Sequence, residues 1–217
     1  MTFYEELQAA TERERADLLA APIIRAAMAG EAGLSAYIAF LAEAYHHVKH
    51  TVPLLMACGA RLPEHYEWLR QALAGYIGEE MGHQEWILDD IRACCGDADA
   101  VRAGQPAIPT EVMVAYAYDT IQLGNPVGFL GMVFVLEGTS VQLAHLAANG
   151  LRASLGLPEQ AFTYLTSHGS LDVSHVQYFE SLVNRLDCLA DRAAIVRCAM
   201  VFYRLYGDIF RQLGEEA

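Results

Sequence analysis

At 217 residues, 54% of them hydrophobic and 19% charged, the chain has enough apolar side chain for one domain with a large core, expected to span residues 1–217. Lys+Arg 14 against Asp+Glu 27 leaves a net charge of -13, which argues against nucleic acid or an anionic membrane as partner, since both need a basic face. Five cysteines (Cys58, Cys94, Cys95, Cys188, Cys198) form an odd set without metal-type spacing, the usage expected in a reducing cytoplasm.

The first residues, Met1 to Arg15, are charged and amphipathic and lack the basic start and apolar stretch of a signal peptide. Alternating β-branched runs are missing, while Ala, Leu, Glu, Gln and Arg abound, so the elements read as helices. The first is expected from Thr2 to Leu19, and a short one follows Pro22 and ends near Gly30. A long one spans Leu34 to Cys58, bent at Pro53, whose missing N–H breaks the ladder. The next starts at Pro63-Glu64 and runs to Cys95-Gly96. Gly96 to Pro109 reads as a loop with about one helical turn.

Thr110 then caps a helix ending at Gly124, and Asn125-Pro126 opens another that reaches Asn149-Gly150. Its apolar run, Pro126 to Leu136, is about half the length of a membrane span, so a soluble, cytoplasmic protein is expected. Pro158 starts a segment through His168 that continues, with an interruption expected at Gly169, to Leu186. The last helix runs from Ala190 to Leu213. The fold class is therefore all-α, a bundle of about seven to eight helices.

Three segments carry the chemistry. Glu80 and His83 stand as Glu-x-x-His, Glu137 lies inside the apolar run Gly128 to Gly138, and His168, Asp172 and His175 stand as His-x-x-x-Asp-x-x-His. Steps of three and four residues keep side chains on one helix face, and a span of seven sets His168 and His175 about 20° apart around the axis. A carboxylate in the setting of Glu137 binds a cation, pairs with an arginine or takes up a proton, because an unpaired buried charge costs several kcal/mol. Three carboxylates and three imidazoles are what a pair of iron ions, or iron and manganese, would need, whereas zinc more often selects four ligands including thiolate. Any one of these residues has an ordinary structural explanation, so it is the set that points to metal.

Glu79 lies four residues from His83 and competes with Glu80 as a ligand. Gly75, Gly78 and Gly82 surround the pair, and each costs up to about 1 kcal/mol in a helix, so a close approach of another helix or a ligand is expected there. Glu43, His46, His47 and His50 form a secondary cluster that could serve as outer metal shell, proton relay or substrate wall. Phe129, Met132, Val133 and Phe134 precede Glu137 and are expected to line an apolar pocket.

In this order the motifs resemble those of the haem-oxygenase-like di-iron oxidases, a branch of the TenA/PqqC-like superfamily. The resemblance runs from the helix bearing Tyr45-His46-His47-Val48-Lys49-His50 to the closing helix with Phe202-Tyr203-Arg204-Leu205-Tyr206. It implies a seven-helix fold, an iron-dependent oxidoreductase, and Glu80, His83, Glu137, His168, Asp172 and His175 as ligands of two Fe(II), with dioxygen as co-substrate. The short Glu-x-x-His spacing is most similar to members that decarboxylate medium-chain fatty acids to terminal alkenes; other relatives cleave amino acids or hydroxylate nitrogen. The expected partners are a small-molecule substrate of fatty acid or amino acid type and an external electron donor, with a homodimer as the default assembly. Two other readings stand beside this one. A metal-free thiaminase-type hydrolase would use a reactive thiol, with Cys58 or Cys198 first to test, and a non-catalytic bundle would hold metal or a small ligand without turnover.

Overall fold

Thr2 begins the chain's first helix with a capping box, its hydroxyl accepting from Glu5 N and the Glu5 carboxylate accepting from Thr2 N at 2.7 Å. The computed structural model of the chain describes the backbone of residues 1–216 and, within it, the side chains of residues 1–167 and 175–214. Twelve α-helices and no strand occur among the described residues. They are α1 (Phe3–Ala10), α2 (Glu12–Leu19), α3 (Pro22–Ala29), α4 (Leu34–Val48), α5 (Thr51–Arg61), α6 (Glu67–Glu80), α7 (His83–Ala93), α8 (Ala98–Ala103), α9 (Ile108–Gln122), α10 (Leu130–Leu155), α11 (Thr163–Val183) and α12 (Leu189–Glu216).

The all-α expectation holds, and the higher count comes from breaks inside expected helices. The first splits at Thr11, and the Gly96–Pro109 stretch contains α8. Pro53 does not bend a helix: it sits in the first turn of α5, where its N–H has no intrahelical partner to lose, and the break falls earlier, at Lys49-His50. Gly169 interrupts nothing, since α11 runs unbroken from Thr163 to Val183. Gly82 adopts φ +95, a left-handed conformation that only glycine takes at low cost, and ends the continuity between α6 and α7.

The packed interior has two parts. One gathers apolar side chains from α1, α2, α5, α6, α9 and α12 with the first half of α10 and the second half of α11. The other joins α4 and α7 with the second half of α10 and the start of α11. The long helix α10 thus serves both, packing on α3, α11 and α12. At Gly131 a Cβ would come within 2.6 Å of Ala199 N and Ile195 O, so the approach of α10 to α12 requires glycine. The stretch Pro126–Leu155 is long and apolar enough to cross a membrane, unlike the shorter run read from the sequence, but 61% of its most apolar window is buried inside the bundle.

Asp90 ties the two halves of the site's scaffold together. It lies on α7, fully buried, and its carboxylate accepts from Thr163 N (3.1 Å) and Tyr164 N (2.8 Å), the unpaired amides that open α11. Burial pushes the Asp90 carboxyl up to about 6, outweighing the pull of those two backbone amides in the other direction. Its proton is therefore held in the folded protein at pH values where the unfolded chain, at about 3.9, has released it. This contribution to stability is complete below about pH 4 and is lost as pH rises through about 6. Asp90→Ala, which leaves both amides without an acceptor, should cost about 2–3 kcal/mol in urea denaturation. Asp90→Asn should flatten the decline in urea midpoint between pH 4 and 6, and an unchanged decline would assign it to other groups.

Candidate metal centre

A polar layer crosses the bundle where the two apolar cores meet. Along α10, Leu130 to Val135 belong to one core and Ala144 to Leu151 to the other, with Glu137 between them. Along α11, Tyr164 and Leu165 belong to the second core and Phe179 to Val183 to the first, with His175 between. Glu80 and His83 occupy the equivalent place at the junction of α6 and α7. The same periodic apolar patterning that packs each core leaves one polar register on three separate segments, and the fold aligns them.

The geometry there is close. His83 Nδ1 lies 3.0 Å from Glu80 Oε2, and both side chains are at most 9% exposed. His175 Nδ1 lies 3.9 Å from Glu80 Oε1 and 3.7 Å from Glu137 Oε1. Glu80 and His83 do not share a helix face as their spacing suggested; Glu80 is the last residue of α6 and His83 the first of α7. The turn at Gly82 brings them together instead. A carboxylate at a helix C-terminus faces the negative end of the helix dipole, an unfavourable arrangement unless a cation offsets it. Trp86 stacks on the His83 ring with centroids 4.0 Å apart.

The α11 backbone carries His168 two turns and Asp172 one turn before His175, and their side chains lie outside the described residues. Glu79 takes a different position from Glu80. It is 61% exposed and its Oε2 lies 2.8 Å from His175 Nε2, the nitrogen away from Glu80 and Glu137. Tyr76, one turn earlier on α6, donates its O–H to the His175 carbonyl at 3.3 Å. Burial first, and then the charge of Glu137, raise the Tyr76 pKa, so it stays a neutral phenol beside the carboxylates.

Beside the layer lies a cavity of about 690 Å³, partly open to solvent, whose wall includes Glu80, Glu137, Tyr76, His47, Phe129, Met132 and Val133. Phe134, expected in that wall, packs instead against Tyr4, Phe179 and Tyr203. A second, more apolar chamber, also partly open to solvent, shares Ser140, Tyr164 and Tyr206 with the first. It continues between α3, α4, α10 and α12, past Ile23, Ala36, Phe40, Ala147 and Phe210. The sequence reading missed this chamber, because its walls come from helices far apart in the chain and carry no motif.

Of the secondary histidines, only His47 reaches the site cavity, edge-on to Tyr206. His46 faces Lys49 Nζ at 3.1 Å, and burial, then Lys49, hold its pKa down at about 4. His50 pairs with Tyr118 at 3.2 Å, and Glu43 accepts from Ala107 N at the start of α9. Gly75 and Gly78 admit no close neighbour: a Cβ on either would meet nothing within 4 Å. Of the three glycines near Glu80, only Gly82 has a structural reason.

Among the described residues, no group of three His, Cys, Asp or Glu side chains is arranged to hold a metal ion. The chemistry of the four convergent groups nevertheless fits one. Two carboxylates face the same imidazole nitrogen in a nearly buried layer between apolar cores, and such charges call for a cation. Carboxylate and imidazole are the ligands that Fe(II) and Mn(II) accept.

Residues 38–207 match the family model described as iron-containing redox enzyme. No curated protein matches the chain. Among solved structures, a domain with a haem-oxygenase-like fold from Shewanella denitrificans is similar over 100% of this chain and 93% of its own, with TM-score 0.87 and 22% identity. A TenA homologue from Pseudomonas syringae has TM-score 0.82 and 11% identity over 98% of this chain and 93% of its own. The haem oxygenase of Leptospira interrogans has TM-score 0.79 and 15% identity over 98% of this chain and 100% of its own. At these identities the likeness shows the fold, which is the haem-oxygenase-like and TenA fold.

Charge crowding in the layer has a measurable cost. Glu137→Gln should stabilise the metal-free protein by about 1 kcal/mol in urea denaturation, because it removes one of two like charges from a nearly buried site. The same variant should lose the rise in Tm that Fe(II) gives the wild type. A variant that is destabilised without metal, yet still stabilised by Fe(II), would show that Glu137 pairs structurally and holds no ion.

Proposed function

The chain belongs to the family of iron-containing redox enzymes, and on that premise we propose that it is a non-haem di-iron (or Fe/Mn) oxidoreductase that uses dioxygen to oxidise or cleave a small amphipathic carboxylate. The observation that carries this reading is the convergence of Glu80, His83, Glu137 and His175, with Glu80 and Glu137 on the wall of a largely apolar cavity. His168 and Asp172, on the same helix as His175, complete the proposed ligand set. When bound, two ferrous ions supply electrons and open coordination positions for reducing dioxygen.

The protein's own groups have definable tasks in this scheme. Glu80 and Glu137 with Asp172 would offset three of the four metal charges, leaving a net positive site for an anionic head group. Tyr76, kept neutral, holds the α11 backbone at His175. Phe129, Met132 and Val133 would give the reacting carbon an apolar wall. Full reduction of dioxygen to two waters takes four electrons; substrate oxidation to an unsaturated or cleaved product supplies two, so an external donor supplies the other two.

The second chamber favours a fatty acid type of substrate over an amino acid type. Its wall is almost wholly apolar apart from Thr139, Ser140 and tyrosines, which suits an alkyl chain better than a polar head group. A methylene buried there contributes up to about 0.8 kcal/mol, close to fourfold in affinity.

The thiol-hydrolase reading finds less support. Cys58 and Cys198 are both buried, and burial pushes each thiol up to about 12, so almost no thiolate forms at neutral pH. Cys58 donates its S–H to Pro126 O at 3.3 Å, as a packed core thiol does.

Anaerobic Fe(II) loading should give close to two irons per chain, and dioxygen consumption should then depend on an added alkyl carboxylate. No iron uptake, or consumption abolished by thiol alkylation alone, would sink the proposal. Within a series of linear carboxylates, KM should fall about fourfold per added methylene until the chamber is full. Ala147→Phe should shift that optimum to shorter chains, whereas an optimum unmoved would place the tail elsewhere.

A further inference from the structure

Glu79 and Glu80 are neighbours at the end of α6, yet they approach the same imidazole at different nitrogens. Glu80 and Glu137 face His175 Nδ1 from within the layer. Glu79, largely in solvent, lies 2.8 Å from Nε2 on the outer side, an ion-pair contact within reach of a proton on that nitrogen. We infer that Glu79 is a positioning residue: by accepting the Nε2 proton of His175 it fixes the tautomer that presents the Nδ1 lone pair to the metal layer. This deepens the ferrous reading above and rests on it.

The physical reason is specific to a ligating imidazole. A neutral ring carries one proton on one of two nitrogens, and the nitrogen without it does the ligating. A carboxylate at Nε2 makes the useful tautomer the dominant one and also fixes the ring plane; partners of this kind commonly govern 10–100-fold in metal affinity. Two further contacts make the His175 ring a well-held recipient. Tyr76 binds its backbone carbonyl, and the Tyr76 ring meets the imidazole edge-on at 5.3 Å. A residue that merely closed a surface ion pair would have no reason to select a tautomer.

The arrangement also explains why two adjacent glutamates stand at a helix C-terminus, where each opposes the dipole. Glu80 turns inward, 9% exposed, while Glu79 turns outward, and the imidazole lies between them. On this inference Glu80 is a ligand and Glu79 is not.

The test uses full-length protein carrying Glu79→Ala or Glu79→Gln. Long-range nitrogen–proton NMR of the metal-free wild type should show His175 as the Nε2–H tautomer. Glu79→Ala should mix the two tautomers, and Glu79→Gln, which keeps an oxygen acceptor, should largely restore the wild-type spectrum. Fe(II) titration should show affinity weakened by about 10–100-fold in Glu79→Ala with the number of ions bound unchanged. A tautomer unaltered by Glu79→Ala, or loss of a whole equivalent of iron as with Glu80→Ala, would overturn the inference and leave the oxidase reading standing. Wild-type protein that takes up no iron would overturn both.

Discussion

Charge inside an apolar bundle is the constraint on which this fold turns. Glu80, Glu137 and His175 are nearly buried, and neither carboxylate could be kept there ionised and unpaired without a penalty of several kcal/mol. The chain collects them in one layer, where His175 lies between the two carboxylates and a single cation could offset both. Two separate apolar cores do the stabilising, and the layer between them is the place where polar groups can face one another instead of hydrocarbon. A single continuous core would have dispersed the carboxylates; two cores with a common boundary concentrate them.

The boundary is held in register by contacts that have nothing to do with the chemistry. Gly131 lets α10 press against α12, which fixes how far Glu137 projects into the layer. Asp90 clips the start of α11 to α7, which ties the helix beginning at His83 to the helix bearing His175. Gly82 then supplies the change of direction that Glu80 and His83 need to meet, since α6 and α7 could not otherwise both reach the layer. These three residues account for more of the site's geometry than the spacing of its polar side chains does.

That explains what could be read from the sequence and what could not. The helices were legible because Ala, Leu and Glu repeat with helical period and because Pro and Gly mark their ends, as at Asn125-Pro126, where the Asn125 side chain accepts from Val127 N. The polar residues of the site stood out for the opposite reason, as interruptions of apolar periodicity. Spacing misled where it assumed a continuous helix: Glu80 and His83 meet across a break, and nothing local distinguishes Gly82 from Gly78, whose side is open. Long-range partners carried no signal at all. Asp90, the apolar chamber and the separate roles of Glu79 and Glu80 all depend on residues more than sixty positions apart meeting in space.

Helix α10 joins the two tasks that any enzyme on this scaffold must keep separate. Glu137 projects into the polar layer, and Ser140, one turn on, lies where the site cavity meets the apolar chamber. Residues after it, Leu143, Ala144 and Ala147, belong to the chamber alone. Groups that would carry the chemistry and groups that would measure the substrate are therefore in series along one helix rather than intermixed. Changing chamber side chains two turns beyond Glu137 alters volume without moving a carboxylate, because α10 is anchored by its own packing on α3, α11 and α12. A fold built this way can change what its apolar chamber accepts by altering small residues on α3 and the second half of α10, while the boundary between its two cores keeps the charged layer fixed.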